Sequence, residues 1–263
     1  MNIFFKIISF AIKNQKLSEY TNIKLQHFID KSRRSRQNEY VIQSMSPTDV
    51  FSKLFPKSSF DQNELVSLEI HLDDFVNTKS SEFFPTINNP YPVHFGLDRE
   101  VSQLLYFLCK YTQPDIVIET GVANGFSSSY ILSALDHLQH GKLYSIDDLV
   151  LPWHTKQKIG SAIPKNLKTR QTLIIGNAAQ ELPKLLQELP LIDIFIHDSN
   201  HTYQNMIEEF KIAWPALRKG GFLFSDDIYQ HNAFLDFADT VHGQSYVIKR
   251  KNYSGFVGLI QKI

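Results

Sequence analysis

An α/β protein with a largely parallel sheet, closed by an antiparallel hairpin, is what this 263-residue sequence predicts over most of its length. Three observations predict it. From Leu97 onward, short β-branched runs alternate with longer segments of helical period. Those runs are apolar almost throughout, so both faces of the sheet must be covered. The last two runs follow one another with no helix between them, which a parallel pair could not do.

The runs are DIVIE (115–119), KLYSID (142–147), TLIIG (172–176), IDIFIHD (192–198) and GFLFSDD (221–227). Between them the helical pattern predicts SSSYILSALDHL, AAQELPKLLQEL and TYQNMIEEFKIAWPALR, with NAFLDFADTV after the fifth run. SYVIKRK and GFVGLIQK, parted by Asn252, Tyr253 and Ser254, form the terminal hairpin. Residues 1–95 have a different texture: irregular apolar spacing, a basic cluster KSRRSR, then the loop FFPTINNPYPVHFG. This gives an N-terminal extension over 1–95, serving as lid, acceptor-pocket wall or oligomer contact, and a ligand-binding domain over 96–263.

Lys+Arg and Asp+Glu both number 27, so nothing in the charge balance recommends a nucleic-acid partner. Cys109 is the single cysteine, which excludes an intrachain disulfide or a cysteine-based zinc site. It reads as a core thiol in a cytoplasmic protein. The N-terminal run MNIFFKIISFAIKNQK is interrupted by Lys6 and is shorter than the ~20 residues that span a bilayer. Ile3, Phe4, Ile7, Ile8 and Ala11 fall at helical spacing. They fit a helix docked on the protein, or one lying at a membrane surface with the basic cluster as its electrostatic aid.

Chemistry-bearing residues gather at the carboxyl ends of the runs, where open α/β sheets bind ligands. The first run delivers Glu119, then Gly121, Ala123 and Gly125, then a helix start at Ser127. Its spacing is E-x-G-x-x-x-G, which is not the dinucleotide fingerprint, and no phosphate-binding lysine follows. Asp147, followed by Asp148, ends the second run where a carboxylate can accept both hydroxyls of a ribose. Asn177 and Ala178 end the third, where an amide suits a purine edge or an N-cap.

The motifs VIETGVANGFSSSYILSAL, LYSID, IIGNAAQELP and IDIFIHDSNHTYQNMIEEFKIAWPALRKGGFLFSDD, with the terminal hairpin, resemble class I S-adenosylmethionine-dependent methyltransferases over roughly residues 95–263. The nearer resemblance is to a bacterial branch with a D-x-x-H-x-Y motif, related to sugar and natural-product O-methyltransferases. It implies a Rossmann-like sheet of six parallel strands and one antiparallel strand. It also implies that Glu119, Gly121 and Gly125, with Ala123 and Ser127 beside them, face the methionine part of S-adenosylmethionine. Asp147 would then face the ribose, and Asn177 with Ala178 the adenine. The family usually carries aspartate where Asn177 stands.

The fourth run ends in His197, Asp198, Ser199, Asn200, His201, Thr202 and Tyr203, and the fifth in Ser225, Asp226 and Asp227. Neighbouring strands would bring three carboxylates to one rim, where they repel unless a cation neutralises them. Hard oxygen ligands suit magnesium, manganese or calcium. The resemblance to catechol-type O-methyltransferases points the same way, since Asp198, Asp226 and Asp227 stand where that group binds its divalent metal. Asp198 would also touch the cofactor. His201, three residues beyond Asp198, is the candidate general base for an acceptor hydroxyl. His197 points to the other face of its strand and reads as a supporting residue.

These readings converge on O-methylation of a sugar, glycan or other small molecule, assisted by a divalent metal. A metal-independent enzyme with a His201–Asp198 pair, and a non-catalytic scaffold attached through its N-terminal helix, are the alternatives. The acceptor and the oligomeric state are not encoded in any motif.

Overall fold

The structure is a computed structural model that describes residues 3–13, 16–78, 97–148, 158–251 and 255–263. Its sheet holds β1 (Ser44–Met45), β2 (Ile116–Thr120), β3 (Lys142–Asp147), β4 (Gln171–Ile175), β5 (Ile192–His197), β6 (Leu217–Ser225), β7 (Gly243–Lys249) and β8 (Phe256–Lys262). They lie in the order β1-β7-β8-β6-β5-β2-β3-β4, and only β8 runs antiparallel to its neighbours.

Each of the seven predicted runs is a strand. The eighth strand corrects the expected seven: it comes from the N-terminal extension, with Ser44 and Met45 registered against Val247 and Ile248. Two residues are too few to show any periodicity, so the sequence carried no signal for it.

Alternation along the central strands feeds two apolar layers. Val117, Ile194, Ile196, Phe222 and Phe224 enter one layer, against α6 (Arg99–Thr112) and α7 (Phe126–Leu138). Ile116, Ile118, Phe195 and Leu223 enter the other, against α8 (Ala178–Glu188), α9 (Tyr203–Ala216) and α10 (Ala233–Ala238). Burying one such side chain contributes roughly 1.5–3 kcal/mol, so the sheet is held from both sides. Cys109 lies fully buried in the first layer, as a core thiol should.

The extension contributes α1 (Ile3–Lys13), α2 (Leu17–Asp30), α3 (Gln37–Gln43), α4 (Pro47–Leu54) and α5 (Gln62–Thr78). Its expected boundary near residue 95 lies outside the described residues. The described part shares the core of the rest of the chain. Val50, Phe51, Leu65 and Leu72 sit in the same apolar layer as Leu104 and Phe107, and the Phe51 and Phe107 rings lie 5.7 Å apart. Tyr40 is fully buried and donates its hydroxyl to the His231 carbonyl at 3.0 Å.

Strand order reverses between β2 and β5: β3 and β4 continue to one side, β6 to the other. The crevice beyond the carboxyl ends of β2 and β5 is therefore the switch point where a ligand has room. Because Tyr40 joins the extension to this half of the core, Tyr40→Phe should lower the stability of the whole chain by about 1–2 kcal/mol. Urea denaturation should show that loss as a shift of one cooperative transition.

Candidate active site

The turn after β2 is built around close approach. Gly121 has φ +85°, and a Cβ there would sit 2.0 Å from the Asp198 carbonyl oxygen. Only glycine lets the β2 and β5 ends come this near. Ala123 is also left-handed, at φ 46°, and Gly125, at φ +82°, occupies the N-cap of α7 without a side-chain cap. The serines at the start of this helix do not cap it. Ser128 donates to Glu119 at 2.8 Å and Ser129 donates back to the Gly125 carbonyl at 2.9 Å. Ser127 is half-buried at the helix start. The N-cap of α7 thus brings no side chain of its own, and the positive end of the helix dipole is the electrostatic setting for a carboxylate.

Glu119 lies beneath this turn, 2% exposed, and accepts from Ser128 and from Ser145 at 2.6 Å. Burial pushes its pKa up to about 7, against the pull of the two hydroxyls and with the Asp147 charge adding to the rise. Asp147, at the end of β3, accepts from the Val122 and Ala123 amides at 2.7 and 2.9 Å. Burial raises it to about 6 in spite of those two amides. Asp147 thus shapes the turn from the position expected to meet a ribose. Asn177 caps α8 through Ala179 N at 3.0 Å and donates to Glu19 of α2 at 3.1 Å, with Ala178 half-buried beside it. Asp148 pairs with Lys16. The start of α2 is therefore tied to the same rim.

The segment after β5 hangs on Glu209, fully buried on α9. This carboxylate accepts from Thr120 Oγ1 at 2.5 Å, Ser199 Oγ at 2.7 Å and Asn205 Nδ2 at 3.0 Å, and pairs with His197 Nδ1 at 2.8 Å. Burial alone would raise Glu209, but His197 and the donors hold it below the usual range. His197 is itself fully buried, with its ring 5.6 Å from that of His201. Asp30, at the end of α2, accepts from the Tyr203 amide at 2.8 Å and so helps to cap α9 together with Thr202.

Asp198, His201 and Asp226 come together: one ligand atom from each lies within 4.8 Å of the others. His201 Nε2 stands 3.3 Å from Asp198 Oδ1 and makes no hydrogen bond. Asp227, expected as the third metal carboxylate, lies outside this trio. It has a left-handed backbone, and its side chain meets His201 Nδ1 at 3.3 Å and Arg250 at 3.4 Å. Burial, then repulsion from Asp226 and Asp227, raises Asp198 well above the usual carboxylate range. Burial, then repulsion from Asp227, takes Asp226 to about 6. Burial lowers His201 to about 4, with Asp227 opposing the fall and His197 and His231 adding to it.

Arg250, just past β7, was not among the residues the sequence singled out. Its guanidinium reaches Asp226 at 3.1 Å, Asp227 at 3.4 Å and the α6 cap Asp98 at 3.7 Å. One guanidinium among Asp98, Asp198, Asp226 and Asp227 leaves negative charge in excess. A divalent cation fits that excess and the Asp198–His201–Asp226 spacing. Glu209 and Asp30 were likewise unmarked in the sequence. A mid-helix acid looks solvent-facing unless the partners are known, whereas the D-x-x-H motif was visible as a strand-end cluster.

Glu119 gives a pH signature. Its folded pKa of about 7 exceeds its ordinary value of 4.5, so the unfolded chain releases this proton first. Stability then falls as pH rises between those values and levels off above them. Glu119→Gln should melt higher than the parent at pH 8, by roughly 2 kcal/mol of stability, with the gap closing at pH 5. Thermal melts at the two pH values check it.

Residues 118–228 match the methyltransferase-domain model Methyltransf_24, a segment that holds every site residue predicted from the sequence. No curated protein matches the chain. The fold is shared with an O-methyltransferase from Bacillus cereus in complex with SAH: 16% identity, 82% of this chain, 96% of that chain, TM-score 0.56. It is shared also with the O-methyltransferase TomG from Streptomyces achromogenes, involved in tomaymycin synthesis and solved with SAM: 16% identity, 77% and 99% covered, TM-score 0.56. A candidate O-methyltransferase from Klebsiella pneumoniae is similar at 18% identity, 73% and 89% covered, TM-score 0.56. The matched segment spans the glycine turn and the strand-end acids that the fold gathers at its switch point, so this part of the chain is similar to methyltransferase domains.

Proposed function

We propose that the protein transfers the methyl group of S-adenosylmethionine to a hydroxyl of a sugar, a glycan or another small molecule. The observation that carries this reading is the imidazole of His201, held beside Asp198 and Asp226 at the switch point. The cofactor supplies the methyl group on a sulfonium. The turn at Gly121, Ala123, Gly125 and Ser127 binds the methionine end, with the positive end of the α7 dipole toward its carboxylate. Asp147 takes the ribose, and Ala178 with Asn177 borders the adenine. Placing acceptor oxygen and methyl carbon in line is then the main catalytic task.

His201 is neutral at pH 7, since burial lowers its pKa to about 4, and a neutral imidazole can take the acceptor's proton. So low a pKa makes it a weak base, and a divalent cation held by Asp198 and Asp226 would compensate by acidifying the hydroxyl. Asp227 orients His201 through Nδ1. A second reading has its own observation: His201 lies within the ligand trio, so it would itself be a metal ligand.

Titration calorimetry with S-adenosylhomocysteine tests the cofactor assignment. Binding should be micromolar and should be lost in Asp147→Ala. No binding to folded parent protein would sink the reading. His201→Ala separates the two roles of the imidazole. As the base, its loss should lower kcat by roughly 10²–10⁴-fold and leave manganese affinity unchanged. As a ligand, its loss should weaken manganese affinity as well, and that outcome would transfer the base role elsewhere. Comparing sugar and phenol acceptors in the same assay sets the acceptor class.

A further inference from the structure

Seven of the thirteen large apolar side chains exposed among the described residues fall between Ile12 and Ile42. Phe28 is 70% exposed, Ile12 58% and Leu25 55%. Leu17, Lys24, Leu25, Phe28 and Lys31 follow one another at helical spacing along the outer side of α2. The opposite side of α2 packs inward, with Asp30 buried against the start of α9. The outer stripe is thus apolar, interleaved with lysine, and left uncovered by the described residues.

The same segment of sequence is basic, although Lys16, Arg33 and Arg36 are paired with acids. Residues 1–36 carry eight Lys and Arg against two acids, so in a chain of zero net charge the other 227 residues hold a compensating excess of six acids. Lys13, Lys24, Lys31 and Arg34 are exposed. Two copies packed through this face about a twofold axis would set the same cations opposite one another, which disfavours self-association. Aliphatic and aromatic side chains interleaved with lysine match instead the boundary between acyl chains and anionic headgroups. No described helix is long and apolar enough to cross a membrane, so the contact would be peripheral.

We propose that the outer face of α2 docks the protein on an anionic lipid surface. Asp30, next to Ile29, holds the Tyr203 amide two residues beyond His201, so docking sets the bilayer beside the catalytic rim.

Co-sedimentation of the full chain with vesicles tests this, using phosphatidylcholine alone and phosphatidylcholine mixed with phosphatidylglycerol. The protein should pellet with the mixed vesicles, not with phosphatidylcholine alone, and raised salt should weaken the binding. Lys24→Glu/Lys31→Glu should weaken it at least about tenfold, and Leu25→Ser/Phe28→Ser by a similar factor. All four positions are exposed, so an unchanged thermal midpoint confirms that the variants are folded. Failure to bind anionic vesicles, or equal binding by parent and both variants, overturns the proposal. So does a dimer in sedimentation velocity that Leu25→Ser/Phe28→Ser dissolves, which would make this face a subunit contact.

Discussion

The buried Glu209 carboxylate is the constraint on which the catalytic geometry rests. It lies at 0% exposure with four polar partners, drawn from β2, β5, the following loop and its own helix. A charge taken out of water is tolerated only when its lone pairs are filled, and here they are. The arrangement works in both directions. Filling Glu209 requires Thr120, His197 and Ser199 to stand where they do, and that fixes the path of the chain through Asp198 to His201. Gly121 then allows the β2 turn to close against Asp198, because any side chain there would meet its carbonyl. The loop is thus held from below by a charge and from the side by the absence of an atom.

The second half of the site is set by opposite means. Asp98, Asp226 and Asp227 converge on Arg250 from the start of α6 and the end of β6. Asp198 faces them from the neighbouring strand. Glu209 is fully paired, whereas this cluster carries more negative charge than its one guanidinium can balance; burial first, and then that mutual repulsion, raises Asp198 and Asp226. A satisfied charge holding the scaffold, next to an unsatisfied group of charges facing the ligand, is the division expected where chemistry is done.

Much of this was legible in the sequence, for reasons that can be named. DIVIE, IDIFIHD and GFLFSDD were readable because a strand covered on both faces must be apolar at every position. The terminal hairpin showed itself by lacking a helix. Glu119, Asp147, Asp198 and His201 were marked by their place at strand ends, where polar residues in an apolar sequence stand out. What escaped is what depends on distance in space. Arg250 sits in a run of basic residues that looks solvated, and only the fold brings it to Asp98 across 152 positions. Glu209 lies mid-helix among other polar residues. Beyond α1 the extension gave no periodic signal because its helices are held piecemeal: Asn232 N bonds the Arg33 carbonyl, Asn232 Oδ1 accepts from the Arg36 amide, and Tyr40 reaches His231.

The pairing of Ser44 and Met45 with β7 has a consequence for how the molecule survives in a crowded solution. Without those two residues β7 would be the outermost strand on its side of the sheet, offering the open backbone donors and acceptors of Val247 and Ile248 to any passing chain. An unblocked edge of that kind is a template for aggregation. The extension therefore serves as an edge guard as well as a wall. Unzipping those two residues alone would leave every strand-end residue of the catalytic rim in place while opening a surface that favours precipitation.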